Sequence, residues 1–245
     1  MSMLAMFLIA TGLGDVTRRF IGPRWVPPVL AVAVLVVGSL LAGLWHLGDL
    51  PLLAIASVAV VGWNVACERT EVTGTRQGIP LVIIGVAVTA LILLSGWASD
   101  VDGVVGRWVT WAGMPETVSA GRVLMVLGVM LVQLTTANHV VRLVLGSVGA
   151  VKPAGQPQAS DRLKGGRLLG PMERLLIVGL GLAGQLTMAS AVVAAKSVIR
   201  FPEINATRNH DEQEIGIDEV VEYFLVGSFA SWIFAFASLA LVAAA

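Results

Sequence analysis

Long apolar stretches with almost no charge are the feature that most constrains this chain. Residues 25–47 and 79–98 contain no Asp, Glu, Lys or Arg, and residues 220–245 contain only Glu222. A helix of about 20 apolar residues spans the ~30 Å hydrocarbon layer of a bilayer. Only 13% of the 245 residues are charged and 56% are hydrophobic, which leaves too few polar groups to cover a soluble fold. The sequence therefore predicts an all-α polytopic transmembrane helix bundle and excludes a soluble enzyme, a secreted disulfide module and a disordered chain.

Six or seven membrane segments are predicted. Residues 51–67 and 123–144 are further apolar stretches, and residues 3–16 form a shorter one. The shorter stretch lacks the positive residues that precede the apolar core of a signal peptide, so we interpret it as an uncleaved first helix. Residues 170–200 are apolar with charges at both ends and form the seventh candidate.

The basic residues fall in every second loop, and this alternation predicts the orientation. Loop 48–50 has no basic residue and loop 99–121 has only Arg107. Because Lys and Arg concentrate in cytoplasmic loops, the richer loops are predicted to be cytoplasmic and the N-terminus to lie outside. The basic residues of the richer loops are Arg18, Arg19 and Arg24, then Arg69 and Arg76, and then Arg142, Lys152, Arg162, Lys164 and Arg167.

Tryptophan residues near the ends of the segments agree with this layout. An aromatic belt at the membrane interface is typical of such positions, and Asn64 is interpreted as interfacial for the same reason. The tryptophans in question are Trp25, Trp45, Trp63 and Trp97. Residues 101–118 have valines and Trp108 at helical spacing, so they form either a short amphipathic helix on the outer surface or a plain loop.

Three parts of the chain differ in composition. Residues 1–150 are predicted to form an N-terminal apolar bundle of about five spans. Residues 151–166, which are rich in Pro, Gly, Gln and Ser, are predicted to form a cytoplasmic linker. Residues 167–245 then form a C-terminal unit in which the intramembrane charges concentrate.

The charges of the C-terminal unit are the strongest candidates for a functional site. An ionisable side chain in the hydrocarbon layer costs about 2.5–3.5 kcal/mol on insertion scales, so its presence suggests a function. Buried salt bridges that fix the register of the helices are the alternative explanation. The candidate residues are Arg167, Glu173, Arg174, Lys196, Ser197, Arg200, Glu222 and Tyr223.

Two arrangements of residues 170–200 are possible. A continuous helix would separate Glu173 from Lys196 by about 35 Å and leave each charge to reach its own membrane face. A helix that breaks near Gly184 and Gln185 would turn back as a re-entrant hairpin and bring Glu173, Arg174, Lys196, Arg200 and Glu222 into one cluster. By a small margin we prefer the single span.

A second polar set lies in the fifth predicted span. Gln133, Asn138 and His139 lie among apolar residues there. Such side chains commonly form hydrogen bonds between helices, and the alternative is the polar lining of a pathway in which His139 can titrate near neutral pH.

The C-terminal third carries a series of short motifs: Gly-Arg-x-x-Gly-x-x-Glu-Arg at 166–174, Gly-Gln at 184–185, Ala-Ala-Lys-Ser at 194–197, Arg-Phe at 200–201 and Glu-Tyr-Phe-Leu-x-Gly at 222–227. With these motifs it resembles a family of bacterial multi-pass inner-membrane proteins with no known activity. The resemblance implies a location in the inner membrane and marks these positions as a site without assigning them a reaction.

Three functions remain open. The first is a channel or carrier for a small ion or anionic solute. The second is a membrane protein or enzyme that binds a phosphate head group through Arg174, Lys196 and Arg200. The third is a scaffold or accessory subunit whose charges serve assembly.

Little in the sequence suggests an enzyme or a bound cofactor. No catalytic triad, nucleotide loop or metal-ligand spacing is found in it, so no cofactor or metal is predicted. The expected partners are the lipid bilayer, anionic lipid and a second copy of the chain. The net charge of zero gives no indication of nucleic-acid binding.

Overall fold

The described part of the chain contains ten α-helices, and the N-terminal ones pack around the first of them. The structure is a computed structural model that describes residues 1–18, 20, 23, 25–115, 118–151, 166–208 and 217–245, with the backbone alone at 166–168, 199–208 and 217–219. The helices are α1 (Ser2–Arg18), α2 (Val26–Leu41), α3 (Asp49–Thr73), α4 (Gly78–Leu93), α5 (Gly103–Trp111), α6 (Ala120–Leu134), α7 (Thr136–Ser147), α8 (Gly166–Leu182), α9 (Leu186–Arg208) and α10 (Ile217–Ala243). No strand occurs among these residues, so the prediction of an all-α fold is confirmed for them.

The first helix is enclosed by the others. Thirteen of the 17 residues of α1 are buried, including Phe7 and Asp15. A helix that is apolar around its whole circumference has to be surrounded by protein or lipid, and here α2, α3 and α6 cover it. Two glycines allow α1 and α6 to pack closely. Gly12 of α1 lies against Leu131 of α6, and Gly128 of α6 lies against the backbone of Ala5, so that a Cβ atom at either glycine would come within 2.9 Å of its neighbour. Helix α1 is therefore the core of the N-terminal part of the chain.

Two helices are long and apolar enough to cross a membrane, namely α3 and the Val220–Ala243 part of α10. Helices α6 and α7 count as a third candidate if they form one span, although they are bent by 52° at Thr135. The apolar helices α2 and α4 are shorter, with 16 residues each. Two or three candidate spans are consistent with a membrane protein, as the composition predicts.

Helix α5 resolves the choice that the sequence left open for residues 101–118. It covers Gly103–Trp111 and buries only Val109, while Trp108 and Trp111 remain exposed. Of the two alternatives, the short helix is the one that forms.

Helices α8 and α9 form a hairpin, so our preference for a continuous helix through 170–200 is wrong. The last turn of α8 ends in a capped bend in which Gly184 has φ +75°, the Gly184 N–H donates to the Gly181 carbonyl, and the Gln185 N–H donates to the Leu180 carbonyl. This pair of bonds with glycine in the left-handed conformation is the Schellman cap, which ends helices. As a result the Glu173 carboxylate and the Lys196 ammonium lie 2.6 Å apart instead of at opposite ends of one helix.

The C-terminal helices pack against α6 and α7 of the N-terminal part. Helix α10 contacts α7, α8 and α6, and α8 also contacts α6 and α7. Apart from its two end residues, the predicted linker 151–166 lies outside the described residues. The sequence boundary between residues 1–150 and 167–245 therefore does not separate the helices in space.

The hairpin predicts that Gly184→Ala destabilises the protein by about 1–2 kcal/mol, because a Cβ atom disfavours the left-handed conformation by that amount. Gly179→Ala is the matched control, since Gly179 lies within α8 and a Cβ there would meet nothing within 4 Å. This control should be neutral or slightly stabilising, because alanine favours a helix over glycine. Thermal unfolding in detergent micelles measures both, and equal effects of the two substitutions would contradict the hairpin.

Candidate functional site

A break between α6 and α7 forms the centre of the candidate site. Thr135 has φ −130° and ψ −50°, which interrupts the helix, and its carbonyl accepts hydrogen bonds from the Asn138 and His139 N–H groups of α7. The adjacent β-branched residues Thr135 and Thr136 lose side-chain freedom in a helix, so they favour a break here. The break leaves the Gln133 carbonyl free to accept a hydrogen bond from a side chain.

Arg174 of α8 provides that hydrogen bond. Its Nη2 donates to the Gln133 carbonyl at 3.0 Å and to Asn138 Oδ1 at 2.6 Å, and its Nη1 donates to Ser231 Oγ of α10 at 3.1 Å. The side chain is 1% exposed. A cation at the carboxyl end of a helix is favoured by the helix dipole, which adds to the hydrogen bonds. One guanidinium therefore connects α6, α7, α8 and α10.

Serine residues on one face of α10 complete the lining. Ser228, Ser231 and Ser238 are all buried at helical spacing. The Gln133 side-chain amide donates to Ser238 Oγ at 2.8 Å, and the Ser238 hydroxyl donates to the Phe234 carbonyl. These serines are not among the residues predicted for the site, although their helical spacing among apolar residues could have indicated a polar face of α10.

Glu173 is directed toward a different set of groups from its neighbour Arg174. Its Oε2 lies 2.6 Å from Lys196 Nζ, and its Oε1 accepts a hydrogen bond of 2.6 Å from Trp232 Nε1. The Lys196 ammonium also lies 5.8 Å from the centre of the Trp232 ring, within range of a cation–π interaction. The Glu173 carboxylate is thus fully engaged by α9 and α10 and makes no hydrogen bond with Arg174 among those described.

Three buried polar atoms at the break have no hydrogen-bond partner. They are Arg174 Nε, Gln133 Oε1 and Thr136 Oγ1, and they account for three of the four such side-chain atoms in the described part of the chain. Buried polar groups in native proteins are nearly always satisfied, so each exception needs an explanation such as water, an ion or a ligand. One donor, on Arg174, and two groups that can accept, on Gln133 and Thr136, therefore remain without partners on residues that form or contact the break.

The structure brings only some of the predicted site residues together. Glu173 and Lys196 meet, whereas Arg174 bonds to a separate set of groups that includes Gln133 and Asn138, a pairing that the sequence does not predict. Glu222 and Ser197 are exposed and Tyr223 is partly buried. Glu222 precedes Trp232 by ten residues on α10, which is about 15 Å along the helix axis, so the predicted inclusion of Glu222 in the cluster is wrong. The side chains of Arg167 and Arg200 lie outside the described residues.

His139 is directed away from the Arg174 cluster. Its Nδ1 lies 3.4 Å from Glu71 Oε1 of α3. The preceding residue, Asn138, holds Arg174, so two neighbouring side chains of α7 contact opposite parts of the bundle. The hypothesis that both line one pathway has no support from this arrangement.

A second buried polar cluster lies between α1 and α3, where the sequence analysis predicted interfacial residues. Trp63 is fully buried instead of forming part of a belt, and its Nε1 donates to both Asp15 oxygens at 3.1 and 3.2 Å. Asn64 is 2% exposed and accepts a 2.8 Å hydrogen bond from Arg18 Nη2 at its Oδ1. Trp25, Trp45 and Trp97 are exposed, as a belt requires.

Asp49 at the start of α3 holds the loops at the other end of that helix. It is fully buried and accepts hydrogen bonds from the His46 N–H, the Ser99 N–H and the Ser99 hydroxyl at 2.9–3.0 Å. This is a fixed loop contact. Among the described residues there is no group of three His, Cys, Asp or Glu side chains that could hold a metal ion.

Comparison with known proteins adds no family. Neither a protein-family model, nor a curated protein, nor a solved structure matches this chain.

The Glu173–Lys196 contact predicts a difference between single and double substitutions. Lys196→Met leaves a buried carboxylate with only the Trp232 N–H, and it should destabilise the protein by about 2–4 kcal/mol because Lys196 is partly exposed. Lys196→Met combined with Glu173→Gln removes both charges and should recover most of that loss. Unfolding in micelles of wild type, Lys196→Met, Glu173→Gln and the double variant completes a double-mutant cycle. Additive effects of the two substitutions would contradict a direct interaction.

Proposed function

We propose that this chain is an inner-membrane carrier for a small anionic solute, which binds at the α6–α7 break beside Arg174. In the proposed arrangement six or seven segments lie in the membrane, with the N-terminus outside and the basic loops in the cytoplasm. The shorter apolar helices α2, α4 and Leu186–Val198 of α9 support further membrane segments besides the long ones. The family resemblance of the C-terminal third supports the inner membrane.

The observation that carries this proposal is the set of unpartnered atoms at the break. Arg174 Nε can donate to an anion, and the Thr136 hydroxyl at the start of α7 is a second buried polar group without a partner. Broken helices that direct free backbone and side-chain groups into the protein interior are typical of the substrate sites of carriers. A ligand at the break would supply the partners that these atoms lack.

The charge of the site favours an anion over a cation. Arg174 and Lys196 contribute two positive charges, and Glu173 contributes one negative charge that is already paired with Lys196. All described acceptors of Arg174 are neutral oxygens. A buried guanidinium binds a carboxylate or phosphate oxygen more strongly than a neutral oxygen, because the hydrogen bond is then charge-assisted. An incoming anion can therefore replace Asn138 or Ser231.

Access to the site requires movement. Arg174 is almost completely buried in this conformation, so a solute cannot reach it directly from either side. The 52° bend between α6 and α7 and the hairpin of α8 and α9 are the elements that can move relative to the long helices. Alternating access in carriers arises from such relative motion around a fixed site.

The lipid and scaffold alternatives have weaker support. A phosphate head group would need free cations near the surface, but Lys196 is paired with Glu173, and its side chain is 21% exposed. A scaffold would use the Arg174 contacts as permanent links between helices. The experiments below distinguish both alternatives from a carrier.

Arg174→Gln should abolish anion flux in proteoliposomes, because a neutral side chain loses the charge-assisted interaction. The probes are chloride, nitrate, phosphate and acetate, each applied as a gradient to the purified protein. Arg122→Gln is the matched control, since Arg122 is exposed near the start of α6 and should leave flux unchanged. Equal flux in wild type and Arg174→Gln, or no Arg174-dependent flux of any of the four anions, would overturn the proposal.

Thr136→Val tests the same site without breaking a described hydrogen bond. The substitution removes a buried hydroxyl that has no partner, so the protein should fold and be as stable as wild type or slightly more stable. If a solute uses that hydroxyl, flux should fall about tenfold, which corresponds to the loss of one hydrogen bond of about 1.4 kcal/mol. A stable Thr136→Val variant with unchanged flux would count for the scaffold alternative.

A further inference from the structure

Gln133 contributes more than its backbone carbonyl to the surroundings of Arg174. The Gln133 side chain is fully buried, and its Nε2 donates to Ser238 Oγ at 2.8 Å. Its Oε1 is also buried and has no hydrogen-bond partner. An amide oxygen can accept two hydrogen bonds, so the residue whose carbonyl holds Arg174 also carries an unused acceptor.

Ser238 fixes which end of the Gln133 amide is free. The Ser238 hydroxyl donates to the Phe234 carbonyl at 2.8 Å, so its oxygen can only accept from Gln133. If the amide were turned around, Oε1 would face an oxygen that has no proton to give. The free end of the Gln133 side chain is therefore an oxygen atom, and it requires a donor.

Arg174 carries the complementary group. Its Nη1 and Nη2 donate to Ser231, Asn138 and the Gln133 carbonyl, whereas its Nε donor is buried without a partner. The Thr136 hydroxyl can either donate or accept, so it does not discriminate between ligands. Arg174 and Gln133 therefore leave one donor and one acceptor unused, on two residues that are in hydrogen-bond contact at 3.0 Å.

Different anions satisfy this donor and acceptor to different extents. Chloride, nitrate and acetate offer only acceptors, so each of them can pair with Arg174 Nε but leaves Gln133 Oε1 without a donor. An anion that carries its own O–H group offers an acceptor and a donor together. A buried site that forms a hydrogen bond with a ligand hydroxyl discriminates against the analogue that lacks it, because the polar group of the site is then left unpaired.

We propose that the solute of the carrier is a monovalent oxyanion with a hydroxyl group, such as bicarbonate, dihydrogen phosphate or a 2-hydroxycarboxylate. This rests on the proposed function and narrows its substrate class. A charged oxygen of the solute binds Arg174, and the hydroxyl donates to Gln133 Oε1. Arg174 supplies the attraction for negative charge, and Gln133 is the residue that determines specificity.

Two matched pairs of anions test this preference. Bicarbonate and nitrate are both planar and monovalent, and glycolate is acetate with one added hydroxyl. An anion that binds the folded protein raises its unfolding temperature, so titrations in micelles at about pH 8 give the affinity of each anion. Bicarbonate should bind about tenfold more tightly than nitrate, and glycolate about tenfold more tightly than acetate, which is the effect of one hydrogen bond.

Gln133→Met removes the acceptor and keeps the backbone carbonyl that holds Arg174. The preference within both pairs should disappear, while nitrate and acetate should bind as tightly as they do to wild type. Gln185→Met is the matched control, because Gln185 is exposed at the hairpin, and this variant should keep the preference. Ser238→Ala is a second route to the same result, since it releases the Gln133 amide to turn and should lower the preference.

Failure of this inference differs from failure of the proposed function. Equal binding within both pairs that is lost in Arg174→Gln would overturn the hydroxyl requirement and leave the anion site intact. A preference that persists in Gln133→Met, or in Ser238→Ala where Gln133→Met does not fold, would contradict the role of Gln133. Unfolding temperatures that no anion raises, or that rise equally in Arg174→Gln, would rule out the anion site and this inference with it.

Discussion

Arg174 joins four helices because its guanidinium finds oxygen acceptors on three of them besides its own. The Gln133 carbonyl is free to accept only because α6 ends there, and Asn138 is in reach only because α7 leaves at an angle of 52°. Ser231 fixes α10 against the same group. In the hydrocarbon layer a backbone carbonyl without a donor costs several kcal/mol, so the break and the arginine depend on each other. The C-terminal helices are positioned around this contact.

The sequence allowed the composition of the charged cluster to be predicted better than its geometry. Charges at membrane depth point to Glu173, Arg174 and Lys196; Glu173 and Lys196 form an ion pair, and Arg174 is buried beside them with partners of its own. The hairpin is the less favoured alternative on the sequence, because the apolar run is long enough for one span. In the structure Gly184 adopts the left-handed conformation and ends the helix. The partners of Arg174 could not be predicted in the same way. Gln133 and Ser231 are distant in sequence, and a backbone carbonyl becomes an acceptor only where the helix breaks.

The N-terminal half shows where a general rule for membrane proteins fails. Tryptophan near the end of a span normally places its N–H among the lipid head groups. Trp63 instead donates to a carboxylate inside the protein, so its position in the span gives no information about the interface. The signal was present in the sequence, since Asp15 follows an apolar run in which a lone acid needs a partner. Its partner depends on how α1 and α3 cross, and that crossing is set by packing between helices that are distant in sequence.

The burial of α1 has a consequence for how the protein is made. Ribosomes synthesise α1 before α6, and more than a hundred residues separate Gly12 from the segment of α6 that encloses it. Asp15 and Arg18 gain their partners Trp63 and Asn64 earlier, when α3 is made, but α1 still lacks the covering that α6 provides. Helix α1 is therefore not fully enclosed by protein until α6 has been made. The helix that is made first is thus the one around which the N-terminal part of the protein is completed last.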